Sequence, residues 1–542
     1  MREGDVAKVC GIVKGVKRRG GMRRSKRSPK RVANTGQGGF GFCEAEIPPA
    51  AERVVLSDAR FKDDDPYHLV IGDRRLDQML IENEMGWVVE LRKILVSLDY
   101  SLLTANYCQK GRKAFHPRTV LGLILFGLFM RQKTLRDLES LSVANIGAWW
   151  ICGGHRIDHS TIGKFVQLHE EALGEEFFRT LAAWVVKQLR LAAGLSSMDG
   201  TVVESAGSHW KAIKAEAARL AAEEHDVRAI GDPSDGALQE AAAKARQAAE
   251  IAGQRIEQRR KQGKNTQTVA VVPSDPEAVI QPRKDGVMRP GYKATTMMHE
   301  AGVIVGQYVH PSSEGAAVAP LLEQHNEIFG QDPLTLLLDA GFHNAPQLEQ
   351  LCEKGIDVLC PSGKAKGEDD WDKQGPKGLF AKSEFRYDDE RDVYACPAGK
   401  WLHYVDQAKN KRGRRYRRYR TEACGQCALR ANCTTSKRGR SIKRYEGEEY
   451  KEAMALVLLQ PRARQVYRQR MAIAEPVHAE LRERLGLRRF HRRGLSAVRA
   501  EFALYCIAFN FKKVMRKRMV VVLAAYGHPY GAQYLVLAIW VV

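Results

Sequence analysis

Acidic residues are the scarce class in this chain of 542 residues: 64 Asp and Glu stand against 86 Lys and Arg, a net charge of +22. A basic surplus of that size predicts a polyanionic partner, most commonly nucleic acid. A secretory leader is also lacking, because no apolar core region follows the first residues. The eleven cysteines cannot all pair, being odd in number, and most are scattered. Both features fit a reduced, cytoplasmic setting. Charge is missing altogether from Met519 to Val542. Length alone would let that tail cross a membrane, but Gly527-His528-Pro529 and Gly531-Ala532-Gln533 break the apolar run. A packed or unstructured tail over 519–542 is expected, and no membrane partner.

What is present is clustered. Hydrophobic residues make up 44% and charged residues 28% of the chain, as in ordinary soluble proteins, so two to four domains with a sizeable core are expected. Residues 1–60 contain KGVKRRGGMRRSKRSPKR and predict a disordered basic arm. Residues 75–193 carry helical periodicity. Phe115-His116-Pro117 opens the apolar helix TVLGLILFGLFM, and Gly153-Gly154 breaks the chain before a helix that Asp158 or Ser160 would cap. Helix, turn and capped helix make a candidate DNA-binding domain. His155, Asp158 and His159 suggest a metal set at first sight, but capping and turn contacts account for them.

From Leu195 the pattern changes. LSSMDGTVVES predicts a strand with Asp199 at its centre, where an acid is costly unless it binds something. Residues 211–262 predict a helical insertion. GYKATTMMHEAGVIVGQYVHP predicts a β-hairpin turning at Glu300-Ala301-Gly302. LTLLLDAGFHNAPQLEQLCEKGIDVLCPS predicts a βαβ unit with Asp339 just past its first strand, where open α/β sheets place ligands. Residues 361–450 form a polar insertion with Cys396, Cys424, Cys427 and Cys433, four thiols that would hold zinc if they converge. Just before the Cys424-x2-Cys427 pair, KRGRRYRRYR offers Arg415, Arg417 and Arg418 to a phosphate backbone, with tyrosines between them. A helix around YRQRMAIAEPVHAELR then carries Glu475 between Arg470 and Arg482. It pairs a candidate cation ligand with phosphate contacts. Arg488, Arg489, Arg492 and Arg493 form a further basic cluster before an amphipathic helix.

Asp199, Asp339 and Glu475 would thus stand on a strand, a strand end and a helix, an arrangement able to hold two divalent cations. MDGT, LLLDAGF and YRQRMAIAEPVHAELRERLGLRRFHRRGL resemble, in this order, the three catalytic blocks of bacterial insertion-sequence DDE transposases. FHPRTVLGLILFGLFMRQKTLRDLE and RIDHSTIGKF are similar to their InsH-type N-terminal domain. DPEA at 275–278, GYK at 291–293 and the late cysteines resemble the subgroup with an insertion before the Glu. The family spacing Tyr-x2-Arg-x3-Glu-x6-Lys stands here as Tyr467-x2-Arg470-x4-Glu475-x6-Arg482. The resemblance implies an α/β, RNase H-like mixed sheet flanked by helices over 194–518. It also implies Asp199, Asp339 and Glu475 as ligands of two Mg²⁺ ions. The function it implies is binding of terminal inverted repeats in double-stranded DNA, strand cleavage and strand transfer to a target, by a dimer or larger assembly at the nucleoid. The alternatives are a transposase-derived DNA-binding protein without catalysis, or a hydrolytic nuclease of the same fold.

Overall fold

The computed structural model describes residues 60–108, 111–283, 286–363, 379–410 and 413–525. The basic arm expected before residue 60 and the tail beyond Ala525 lie outside the described residues. Among the described residues no helix is long and apolar enough to cross a membrane.

Helices come first: α1 (Leu76–Glu82), α2 (Gly86–Val96), α3 (Pro117–Phe129), α4 (Leu135–Ala144), α5 (Ile146–Cys152), α6 (His159–Gly174) and α7 (Glu176–Leu189). α3 is buried from Pro117 to Leu128, as its apolar sequence on all faces demands, so the others pack around it. Pro117 sits in its first turn, and the His116 ring accepts from the Arg118 amide at 3.1 Å. Thr134 and Asp137 cap α4 reciprocally, and Asp158 caps α6 by accepting from the Thr161 amide at 2.9 Å. His155 meets the Asp63 carbonyl and His159 meets Glu139, so neither histidine faces a metal set.

One ionic knot anchors this helical group. Asp64 is 3% exposed. It accepts from Arg118 Nε at 2.9 Å and from the Thr119 hydroxyl at 2.6 Å. Arg92 donates to the carbonyls of Asp64 and Ile151, both at 2.7 Å. The Asp64 backbone also presses on Gly153, whose φ of 61° ends α5; a side chain there would collide with it.

The sheet begins with β1 (Leu195–Glu204), followed by the hairpin-forming helices α8 (Ala215–Gly231) and α9 (Gly236–Lys261). These two pack through small side chains such as Ala218, Ala248 and Ala252 and present ion pairs to solvent. Then come β2 (Val279–Pro282), β3 (Met288–His299), β4 (Val303–His310), α10 (Val318–Phe329), β5 (Thr335–Leu337), α11 (Ala345–Glu353) and β6 (Asp357–Leu359). β3 pairs antiparallel with β1, β2 and β4; β5 runs parallel to β1, and β6 parallel to β5. Four antiparallel strands therefore continue into two parallel ones, a mixed α/β sheet of six strands.

A second sheet of five antiparallel strands follows: β7 (Arg386–Asp388), β8 (Val393–Ala395), β9 (Trp401–Lys409), β10 (Arg415–Arg420) and β11 (Ser441–Tyr445). Its own small core joins Phe385, Tyr394, Leu402, Tyr419 and Ile442. The chain returns through α12 (Glu448–Leu459) and α13 (Pro461–Ala479), and ends its described part in α14 (Leu495–Ala525). α14 packs against α6, α7 and β4, and its residues from Val498 to Met515 are almost all buried. Through it the N-terminal helices and the mixed sheet share one hydrophobic core.

Candidate active site

Strand register brings two aspartates together. Ser197 of β1 lies opposite Leu337 of β5, the last pair of that parallel ladder. Asp199 and Asp339 each follow two residues later, so both point to the same side of the sheet on strands about 4.8 Å apart. The Asp339 carboxylate is steadied by the Gly341 amide at 2.8 Å, and its carbonyl accepts from the Cys360 thiol at 3.2 Å. Asp199 stands half-buried in mid-strand.

α13 lies across these ends. Tyr467 donates its hydroxyl to the Leu338 carbonyl at 3.2 Å, which fixes the helix against the end of β5. One turn on, Arg470 Nη2 stands 3.0 Å from Asp199 and 3.9 Å from Asp339. The guanidinium therefore sits between the two carboxylates rather than facing outward. Two turns further, His478 Nε2 lies 3.3 Å from the second oxygen of Asp199, at ion-pair distance but without the alignment of a hydrogen bond. Arg482 donates to the Thr201 hydroxyl, two residues beyond Asp199 on the same face of β1.

The environments of the two aspartates differ. Burial alone would raise the Asp199 carboxyl, but His478 and Arg470 outweigh it and hold the group below the usual carboxylate range. Burial raises Asp339; Arg470 offsets this in part, while Asp199 and Glu314 add to it. Glu314 is a residue that the sequence analysis passed over. It follows β4, pairs with Lys293 of β3, and stands beside Asp339: oxygens of the two carboxylates lie 3.0 and 2.9 Å from the place a Cβ on Gly341 would occupy. His478 was passed over as well. Its signal was its position, three residues after Glu475 and so on nearly the same helical face; Glu314 left none, being 115 residues from Asp199 with only β-sheet register to join them.

The remaining expected site residues divide into those that face solvent and those engaged with the protein. Glu475 is exposed on α13. Among the described residues no three His, Cys, Asp or Glu side chains are arranged to hold a metal ion, so Glu475 does not close a set with Asp199 and Asp339 in this arrangement. Arg489 donates to the carbonyls of Ser205 and Ala206 at 2.8 and 3.0 Å and staples the end of β1. Arg488 pairs with Glu483, and Arg492 is half-buried, with its backbone amide donating to Glu501 at 2.9 Å. Arg417 pairs with Asp392 at 2.7 Å, and Arg418 pairs with Asp406. Arg415 and Arg493 are exposed. A run of arginines in sequence fixes the sign of the charge but not its partners, and the partners here are mostly carbonyls and carboxylates far along the chain.

The zinc expectation is not supported. Cys396, Cys424, Cys427 and Cys433 do share a neighbourhood, since the Cys433 thiol, raised by burial, also feels the other three. Yet they form no metal-holding group. Cys396 and Cys433 instead pack against the small apolar core around Tyr394 and Tyr419.

A mixed sheet with paired aspartates beneath an arginine-bearing helix marks an α/β protein with an acidic centre. Residues 395–515 match the family model described as transposase DDE domain, and residues 74–168 match that described as transposase domain (DUF772). Two separate stretches of the chain are thus similar to transposase domains, which supports an insertion-sequence DDE transposase. No curated protein matches it. The first match includes Arg470, Glu475 and Arg482; Asp199 and Asp339 precede it.

Proposed function

We propose that this chain is a transposase that binds the terminal inverted repeats of its own element, hydrolyses a strand there, and joins the freed 3′-hydroxyl to a target phosphodiester. The observation that carries this reading is the pairing of Asp199 and Asp339 at one level of the sheet, both within reach of a single guanidinium. Their all-oxygen donor set suits a hard divalent cation such as Mg²⁺, and the place between them already accommodates a positive group. Asp199 and Asp339 would hold the cation, and Glu475 would be the third ligand once α13 shifts on the DNA. When bound, the cations supply activation of the attacking oxygen and stabilisation of the leaving one.

This chain's own side chains do the rest. Arg470 balances the two carboxylates until a phosphate draws it away, and His478 keeps Asp199 ionised and oriented. Arg482, Arg493 and Arg415 hold phosphates farther along the duplex, with Arg488 beside them. The assembly that pairs two ends would be a dimer or larger, and a mixed sheet whose antiparallel strands β1 to β4 continue into the parallel β5 and β6 supports an RNase H-like catalytic unit over 194–518.

The test is strand cleavage of a duplex carrying the element's own end, with Mg²⁺ present. The expected product is a nick that leaves a 3′-hydroxyl at the end of the element. Glu475→Gln should stop cleavage while leaving retention of the duplex nearly unchanged. Arg482→Ala should weaken retention, with a shallower salt dependence. Cleavage at the wild-type rate by Glu475→Gln would remove that residue from the site.

A further inference from the structure

A second basic feature lies next to the aspartates and is not part of the site described above. Between the five-stranded sheet and the body of the protein runs a cleft of about 410 Å³. Its walls come from β11 and the β10 edge on one side and from α11 and α12 on the other. Five cations line it, Lys382, Arg414, Arg440, Lys443 and Lys451, against a single acid, Glu448.

Only one of the five is matched by that acid. Lys382 lies 3.0 Å from Glu448. Arg440 donates to the carbonyls of Cys433 and Phe380, which leaves its charge uncompensated. Arg414 lies over the Tyr445 ring and Lys443 over the Tyr416 ring, at 5.2 and 4.6 Å. Neither they nor Lys451 meet a carboxylate among the described residues. The cleft also receives the start of α11 at Ala345, but Pro346 has no N–H and the Gln347 amide donates to the Asn344 side chain, so the cations rather than the helix end favour an anion. At its wall the Ser441 hydroxyl and Arg440 Nε are buried without a hydrogen-bond partner, polar groups that want an oxygen acceptor or donor. The second sheet does not swing freely over this gap: Arg444 of β11 is tied to Glu452 of α12 by bonds of 2.8 Å. The cleft is therefore a built, rigid concavity.

Its position gives it a use. Six residues separate Asp339 from Ala345, so the cleft begins within about 20 Å of that carboxylate. Lys451 is close enough to act electrostatically on His343 and on Cys360, whose thiol holds the Asp339 carbonyl.

We propose that this cleft binds the phosphodiester backbone of the duplex beside the scissile bond, within roughly six nucleotides of it at 3.4 Å of rise each. This inference rests on the proposed function. The aromatic ring that lines the cleft, Tyr445, is covered by Arg414, so the cleft offers cations but no open face for a base. It is a positioning contact that holds the strand without reading its sequence.

The experiment uses the full chain and two labelled duplexes, one with the element's end and one of unrelated sequence, titrated between about 0.05 and 0.2 M salt. In Arg414→Ala/Lys443→Ala/Lys451→Ala, affinity for both duplexes should fall at least about tenfold, and the slope of log affinity against log salt should become shallower by between about two and three. Lys443→Gln and Lys451→Gln alone should each give a part of that change, and an unchanged unfolding midpoint shows these variants to be folded. A control that removes three exposed cations outside the cleft, Lys400→Ala/Lys437→Ala/Arg438→Ala, should lose less. Wild-type affinity and slope in the cleft variants, while the wild-type protein binds DNA, would overturn the cleft alone. So would an equal loss in the control, which would reduce the effect to bulk charge. A wild-type protein that retains neither duplex would overturn the cleft together with the proposed function.

Discussion

Asp199→Asn should slow strand cleavage by at least about 10³-fold, roughly 4 kcal/mol of transition-state stabilisation, while the protein still retains its end duplex. The substitution keeps the shape of the side chain and its place in β1 but removes the charge that Arg470 and His478 now share. Asp339 then remains as the lone partner of Arg470, and a cation loses half of its central pair. Asp339→Asn should be equally damaging. The basic surfaces are untouched in both, so retention of DNA separates a lost ligand from a lost fold. The two aspartates should also part company in acid: Asp339, raised by burial, takes a proton before Asp199, so cleavage should fall on the acid side through protonation of Asp339. A variant at either position that cleaves within a few-fold of wild type would show that the chemistry lies elsewhere.

The second large effect is on stability. Asp64→Ala should destabilise the N-terminal helices by about 3–5 kcal/mol, because it leaves Arg118 and Arg92 buried without their counter-charge. Burial would raise the Asp64 carboxyl, but its bonds from Arg118, the charges of Arg92 and Arg118, and Thr119 together hold it far below the usual range. The sign follows: a group whose value is depressed on folding contributes in full above its unfolded value of about 3.9 and loses that contribution as pH falls toward its folded value. Urea unfolding at neutral pH should show the loss, and the gap between wild type and variant should narrow in acid. A midpoint shift equivalent to less than about 1 kcal/mol would mean the knot is loosely packed or solvated.

Much of the fold could be read from local pattern. The apolar run from Thr119 to Met130, the cap at Asp158, the hairpin turning at Glu300-Ala301-Gly302 and the βαβ unit around Asp339 each carry their own signal within a dozen or so residues. What could not be read was pairing at a distance. Nothing near Glu314 says that it will stand beside Asp339, and nothing in LRRFHRR says that Arg489 will spend its guanidinium on the carbonyls at the end of β1. The Asp64 knot was equally silent, since its charge lies outside the helical periodicity and its partners are 28 and 54 residues away. The four late cysteines show the converse. Their residue type suggested zinc, which is not supported, while Cys396 and Cys433 pack as small apolar groups against the core around Tyr394 and Tyr419. Arg470 was placed correctly on its helix, yet its direction, inward to two aspartates, depended on β1 and β5 being in register.

The most direct test is the position of Mn²⁺ in crystals of the full protein bound to its end duplex, located by anomalous scattering. The account predicts a peak between Asp199 and Asp339, about 2.1 Å from a carboxylate oxygen of each, with Arg470 moved off them toward a phosphate. A peak held by other side chains, or Arg470 still lodged between the two aspartates with the duplex in place, would contradict it.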